Sequence, residues 1–479
     1  MSLETRKQHQ SKLKSDYSGV SGANQRPFLR GRLWAIAFLA VVVKAILLFG
    51  LFPYFHAQFP QDYSAGSFGD SYQLIAWNLA QGNGYRMFPD TSLTMLRTPG
   101  FVLLLSLIFA VFGKSLVAVQ IVNLVFSSIT AVLTQILSRK AGLSSTAATI
   151  AALIFFFHPG LLIAESRGAL ECMLTLCLAA SVLLAVIAME RQKWPSFAMA
   201  GVIYGITILV KPSVAPVLPV LFLYRIWRTS DRMVRRKLFA GMAISGLATV
   251  LVMTPWVVRN YRLSGEFRPT MTVSGMSAFT GAYVIKHLDS NLDYVEMENR
   301  AVDEQNAIAN AMGLQTHGRY FPAFTRVEDE VSFYRELGRR AVDDYRREPE
   351  LILRSVGYNA CAFWVGGKTH RSTMFNAILT LPLLVLFGIG LGVGMKTGKE
   401  VFQFFLITVV FMIPHLFIIA KARYSIPLIP FVAILAAIPL AKWFECFAGP
   451  YRELPSSSQM KELLDTSPIG DRKIRRASP

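Results

Sequence analysis

The stretch FVLLLSLIFAVF, residues 101–112, sets the topology of the whole chain. It is apolar but for Ser106, yet its twelve residues, at about 1.5 Å each, reach only ~18 Å of a hydrocarbon core ~30 Å thick. By length it lies in the interface and does not span. With that run left out, apolar spans fall near residues 33–52, 115–137, 146–164, 170–189, 195–210, 212–226, 238–257, 374–394, 401–420 and 424–444. Charge tests the same reading independently, because cytoplasmic loops hold the excess of Lys and Arg and one miscounted span inverts every later loop. The tail before the first span carries Arg6, Lys7, Lys12, Lys14, Arg26, Arg30 and Arg32. It reads as an uncleaved anchor with the N-terminus inside. Arg139 with Lys140, Arg191 with Lys193, the cluster from Arg225 to Lys237, and Lys396 with Lys399 then all fall inside. Counting 101–112 as a span would push the 225–237 cluster outside, so length and charge agree on about ten spans with both ends cytoplasmic.

Working outward, 53% of the 479 residues are hydrophobic and 16% charged, against about 25% charged in soluble domains. A soluble multidomain protein is excluded. The net charge of +19 does not indicate nucleic acid, since a nucleic-acid binder gathers its bases on one soluble face, and here they lie in clusters between spans. Cys172, Cys177, Cys361 and Cys446 fall in or beside apolar segments with no CxxC spacing. Neither a disulfide framework nor a zinc site is expected. The chain thus divides into a basic cytoplasmic tail (1–32), a transmembrane module (33–257) with a first outside loop (55–115), a long outside loop with an amphipathic helix (258–373), the last transmembrane helices (374–444), and a basic tail (445–479) expected to be disordered.

The unusual polar chemistry lies in the outside segments. In FGDSYQLIAWNLAQGNGY, residues 68–85, Tyr72, Ile75, Ala76 and Leu79 follow helical spacing and Gly82-Asn83-Gly84 ends the run. This predicts a short amphipathic helix lying flat on the outer interface, opened by Asp70. As a cap, Asp70 accepts from free N–H groups of the first turn; as a general base it takes a proton from an acceptor hydroxyl. The two roles are compatible. In MLRTPGF, residues 95–101, Arg97 precedes Pro99-Gly100. A guanidinium at headgroup depth either snorkels to the interface or grips a phosphate through two N–H groups.

An acid opening a flat helix, then R-x-P-G, then a non-spanning helix ending at Phe112-Gly113 resembles the first outside loop of GT-C glycosyltransferases, specifically the protein O-mannosyltransferase and aminoarabinose transferase group. Those enzymes take sugar from a polyprenyl-phosphate carrier. The resemblance implies an all-α polytopic membrane protein of the GT-C glycosyltransferase type, in the cytoplasmic (inner) membrane, with its active site on the periplasmic or extracellular side. It runs from about Gly69 to Leu440, and the order of motifs and their side of the membrane carry it more than any single motif.

The resemblance extends to further residues. Glu171, in the outside connection that also holds Glu165 and Arg167, matches an acid just before the fourth span, where Asp is more frequent. As plain structure it is an acid at a helix N-terminus. Lys211-Pro212 breaks the apolar stretch ILVKPSVAPVLP, where the family often has a basic residue with Pro near the carrier phosphate. Arg259 and Arg262 follow the seventh span in PWVVRNYRLSG, and Arg423-Tyr424 in AKARYSIPLIP match a basic–aromatic pair near the carrier pocket; each is otherwise an ordinary interface anchor. In EDEVSFYRELGRRAVDDYRREP, residues 328–349, Val331, Tyr334, Gly338, Ala341 and Tyr345 share a face, with Glu336/Arg340 and Asp343/Arg347 at pairing distance. That helix reads as a surface strut. Lys44, deep in the first span, must snorkel or face the bundle.

These readings imply an inverting transfer from a polyprenyl-phosphate sugar to a lipid, glycan or protein hydroxyl. Asp70, as general base, and Glu171 are the expected catalytic carboxylates; Arg97, Lys211, Arg259, Arg423 and Tyr424 are expected to bind donor phosphate or acceptor. No cofactor is required and a divalent metal is not indicated, since basic groups can stabilise the departing phosphate. The competing classes are a lipid-linked sugar flippase or other transporter, which needs ionisable groups and broken helices at the midplane, and an O-antigen ligase or polymerase, which does not need the first-loop acid with R-x-P-G.

Overall fold

A computed structural model describes residues 38–51, 53–54, 71–290 and 293–448. The basic N-terminal tail, most of the first half of the first loop including Asp70, and the C-terminal tail with its expected disorder lie outside the described residues.

Among the described residues the fold is all-α. Five helices are long and apolar enough to cross a membrane: α4 (Leu116–Lys140), α7 (Glu171–Arg191), α10 (Arg232–Ser264), α15 (His370–Lys396) and the segment Ala422–Cys446. The shorter apolar helices α1 (Phe38–Leu51), α3 (Pro99–Phe112), α8 (Trp194–Val210) and the segment Phe402–Leu416 accompany them. Rows of exposed Leu, Ile and Val along α10 (Leu247, Val250, Leu251) and α15 (Ile378, Leu381, Val385) are tolerable only against lipid, because contiguous apolar patches of this kind are rare on soluble monomers. By contrast α17 (Ile429–Ala448) is central: Phe431 to Ala437 have no exposed surface.

Several expected spans are interrupted, each time at a proline. The expected span 146–164 is two helices, α5 (Ser145–Phe156) and α6 (Pro159–Ser166), bent by 43°. Pro159 has no N–H to continue the ladder and its ring disfavours helical backbone at His158. The expected span 212–226 begins with a 3₁₀ turn at Pro212–Val214 before α9 (Val217–Arg228). The expected span 401–420 is α16 (Phe402–Met412) followed by a 3₁₀ turn containing Pro414. A 3₁₀ segment, Ala422–Leu428, leads into α17.

The charge clusters expected to share one side do meet at one end of the bundle. Lys140 pairs with Glu190, Arg225 with Glu400 at 2.8 Å, and Lys399 donates to the Gly142 carbonyl at 2.8 Å. The outside segments gather at the opposite end, here the loop end.

At the loop end the two outside segments share a hydrophobic core separate from that of the bundle. It joins Tyr72, Ile75 and Ala76 of α2 (Ser71–Ala80) to Phe101, Leu105 and Phe109 of α3, to Trp256 of α10, and to Phe279, Phe333, Tyr334 and Leu337. The last four come from α11 (Ser274–Lys286) and α13 (Val327–Arg347). Tyr72 stands edge-on to Phe101 at 5.6 Å and Trp77 to Phe109 at 6.3 Å. The expected lipid-facing stripe of α2 is therefore covered by α3, and its polar residues Ser71, Gln73 and Asn78 are buried as well. The stripe meets the equally apolar face of α3, and α3 turns Leu103, Leu107 and Val111 outward in its place. Gly275 on α11 crosses Gly338 on α13 so closely that a Cβ would strike the Tyr334 carbonyl.

Candidate active site

The R-T-P-G motif is a joint between the first loop and the break after α8. Thr98 Oγ1 donates to the Val210 carbonyl at 3.2 Å. A Cβ on Gly100 would lie 2.9 Å from the Leu209 carbonyl oxygen, so glycine lets α3 seat against the end of α8. Arg97 is thereby held one residue from this contact. Its Nε donates to Ser71 Oγ at 2.8 Å, and its guanidinium lies 4.7 Å from the Tyr72 ring and 4.9 Å from that of Phe321. Arg97 thus ties down the first turn of α2, the helix whose preceding residue is Asp70.

Lys211, at the same break, lies with its ammonium 4.0 Å over the Tyr424 ring. Arg423 is 5.2 Å from that ring and its Nε is 3.9 Å from Glu171 Oε1. Glu171 is the first residue of α7 and is buried. Burial lowers the Lys211 pKa, opposed by Tyr424 and Glu171 and reinforced by Arg423 and Arg97. Lys211, Glu171, Arg423 and Tyr424, from three separate parts of the chain, therefore form one half-buried cationic and aromatic cluster, with Arg97 within electrostatic range.

Arg259 stands apart from that cluster. It donates to the Thr94 carbonyl at 3.1 Å and lies between the Tyr85 and Trp256 rings, at 4.9 and 4.6 Å. Its guanidinium already serves as a clamp on the first loop, the aromatic faces favouring a cation there. Arg262 is exposed on α10.

Three groups that sequence reasoning left without a site role stand out. Glu330, on the helix read as a strut, is buried and accepts from Thr94 Oγ1 at 2.6 Å, Thr272 Oγ1 at 2.7 Å and the Met95 N–H at 3.0 Å. Burial raises its pKa, while these donors favour the carboxylate. The strut is thus also an anchor for the strand-like stretch before Arg97. On its exposed face Asp343 pairs with Arg339 and Arg346, not with the expected Arg347, while Glu336 does pair with Arg340. Lys44 faces the bundle: it pairs with Glu165 at 2.8 Å, both without exposed surface. It also donates to Ser127 Oγ at 3.2 Å and lies 3.9 Å over the Phe156 ring. Lys421, adjoining the site, pairs with Glu298 at 2.7 Å. Only periodicity flagged the Glu330 face, and nothing local in the sequence links Lys44 to Glu165.

Residues 97–257 match the family model described as dolichyl-phosphate-mannose-protein mannosyltransferase. Over that segment the match agrees with the resemblance to the protein O-mannosyltransferase group drawn from the motifs. Comparison with curated proteins gives no match. The oligosaccharyltransferase of Archaeoglobus fulgidus, tethered to an acceptor peptide, aligns at 15% identity with a TM-score of 0.39; the alignment covers 90% of this chain and 58% of that one. ArnT from Cupriavidus metallidurans bound to undecaprenyl phosphate aligns at 10% identity over 89% of this chain and 80% of its own, with a TM-score of 0.39. Its apo state gives 13% identity, 88% and 80% coverage, and a TM-score of 0.37.

Proposed function

We propose that the chain is an inverting glycosyltransferase, moving a sugar from a polyprenyl-phosphate donor to a hydroxyl of a lipid, glycan or protein acceptor on the periplasmic or extracellular face of the cytoplasmic membrane. The observation that carries the reading is the convergence of Lys211, Arg423, Tyr424 and Glu171 beside the R-T-P-G joint. A departing phosphate needs such a half-buried basic cluster, and so does a carrier whose headgroup must sit where the lipid meets the loops.

In this mechanism the carrier phosphate rests on Lys211 and Arg423. The Asp70 carboxylate takes the proton of the acceptor hydroxyl. The oxygen forms its bond to the anomeric carbon on the face opposite the phosphate, whose C–O bond breaks as the new one forms. The phosphate leaves with an added negative charge, so the cations stabilise the transition state more than the bound donor. Glu171 orients Arg423 toward that oxygen. Arg97 fixes the helix that follows Asp70, and Arg259 holds the loop at Thr94. The reading requires no divalent metal.

The test is transfer by the purified full-length protein from labelled polyprenyl-phosphate sugars to candidate acceptors, with Asp70→Asn as control. The variant should bind donor like wild type and lose transfer by at least ~100-fold, the scale of a missing general base. Wild-type turnover by a folded, donor-binding Asp70→Asn protein rules the assigned base out.

A further inference from the structure

Beyond the cluster around Lys211, the loop end holds a second set of cations. The Ala422 N–H donates to the Gly366 carbonyl at 2.9 Å, which ties the connector carrying Lys368 to the turn carrying Lys421 and Arg423. Lys421 pairs with Glu298 on α12 (Tyr294–Ala311), and its ammonium is 5.3 Å from the Tyr294 ring.

Two polar groups here have no partner among the described residues. The Tyr294 hydroxyl is buried and makes no hydrogen bond, so it is desolvated without a compensating partner. The half-buried Lys368 makes neither a hydrogen bond nor an ion pair. Among the described residues, the charges that act on it most are Lys421, Arg167 and Arg423, which disfavour its ammonium, and Glu298, which favours it. Lys421 is the common neighbour of the two, and an ammonium withdrawn from water among like charges, with an unused O–H donor in the same cluster, lacks an anionic oxygen. The surroundings of Lys211 are different: Tyr424, Glu171, Arg423 and Arg97. Arg423 belongs to both sets, and Tyr424 of the first also acts on Tyr294.

We propose that Lys368 and Tyr294, with Lys421, form a second oxyanion subsite that binds an acidic group, phosphate or carboxylate, carried by the acceptor. The inference rests on the proposed function for the identity of that substrate, since a carrier phosphodiester brings only the one phosphate assigned to Lys211 and Arg423. The subsite places the acceptor from the side of α12 and Arg423 acts as the divider between the two anions.

The test uses purified full-length protein in lipid nanodiscs. Binding of undecaprenyl phosphate is measured directly, and binding of inorganic phosphate is measured with undecaprenyl phosphate saturating, in wild type, Lys368→Met, Tyr294→Phe and Lys211→Met. Lys368→Met and Tyr294→Phe should each weaken phosphate by about tenfold, the loss of one charge-assisted or one buried hydrogen bond, and leave undecaprenyl phosphate within about twofold. Tyr294→Phe keeps the ring packing and so guards against misfolding. Equal weakening of undecaprenyl phosphate by Lys368→Met and Lys211→Met would mean a single shared site and overturns the inference, as does phosphate binding that neither variant alters. If Lys211→Met leaves undecaprenyl phosphate binding intact while the other two still lose phosphate, the proposed function fails and the subsite stands.

Discussion

Glu330 Oε2 accepts a hydrogen bond from Thr94 Oγ1 at 2.6 Å, joining outside segments 236 residues apart. The same carboxylate takes Thr272 and the Met95 N–H, so one buried acid holds the backbone that leads into Arg97.

Glu330→Ala leaves two hydroxyl protons and one N–H without an acceptor in the loop-end core. Each orphan costs about 1–3 kcal/mol where water cannot reach it. Hydrogen exchange at residues 92–98 should speed up, the thermal midpoint should fall, and Glu330→Gln should lie between the variant and wild type. Unchanged protection at Met95 would show that the anchor is dispensable.

The Lys44–Glu165 pair predicts a specific pattern of non-additivity. Removing one partner strands a buried charge, at about 3–5 kcal/mol. Lys44→Met and Glu165→Leu should each destabilise the detergent-solubilised protein strongly, whereas the double variant recovers most of the loss. Additive single losses would mean that the two side chains do not interact in the membrane.

Topology follows from the segregation of charge between the two ends of the bundle. With the four native cysteines replaced, an impermeant thiol reagent applied to intact cells should label Cys at position 304, on α12, and should not label it at position 139. Labelling of 139 reverses the orientation.

The second oxyanion subsite carries a pH dependence. Burial and then Lys421 lower the Lys368 pKa below its usual 10.5. Only the ammonium attracts an anion, so affinity is complete at low pH and falls as pH rises through that lowered value, earlier than for an ordinary lysine. Sulfate, which stays dianionic, is the suitable probe, measured from neutral pH upward with undecaprenyl phosphate saturating. Lys368→Arg should move the loss to higher pH, because a guanidinium stays charged above about pH 12. A pH profile identical in Lys368→Arg and wild type would assign the dependence to another group.

By itself the sequence determined that this chain is a helical membrane protein and which charges share an end. Those properties follow from local apolar length and from where Lys and Arg fall between spans, and both are additive along the chain. The R-x-P-G motif and the Lys211-Pro212 break were legible for the same reason, since glycine and proline act on their own backbone. What only the tertiary structure decided is which side chains meet. Glu330 reaching Thr94, Lys44 finding Glu165, Arg259 turned to the loop instead of the Lys211 cluster, and Lys368 left unpaired in the cluster around Lys421 all depend on long-range packing, of helices within the bundle or of the outside segments at its end. Periodicity records which face a residue takes on its own helix, and carries no information about which distant face will cover it.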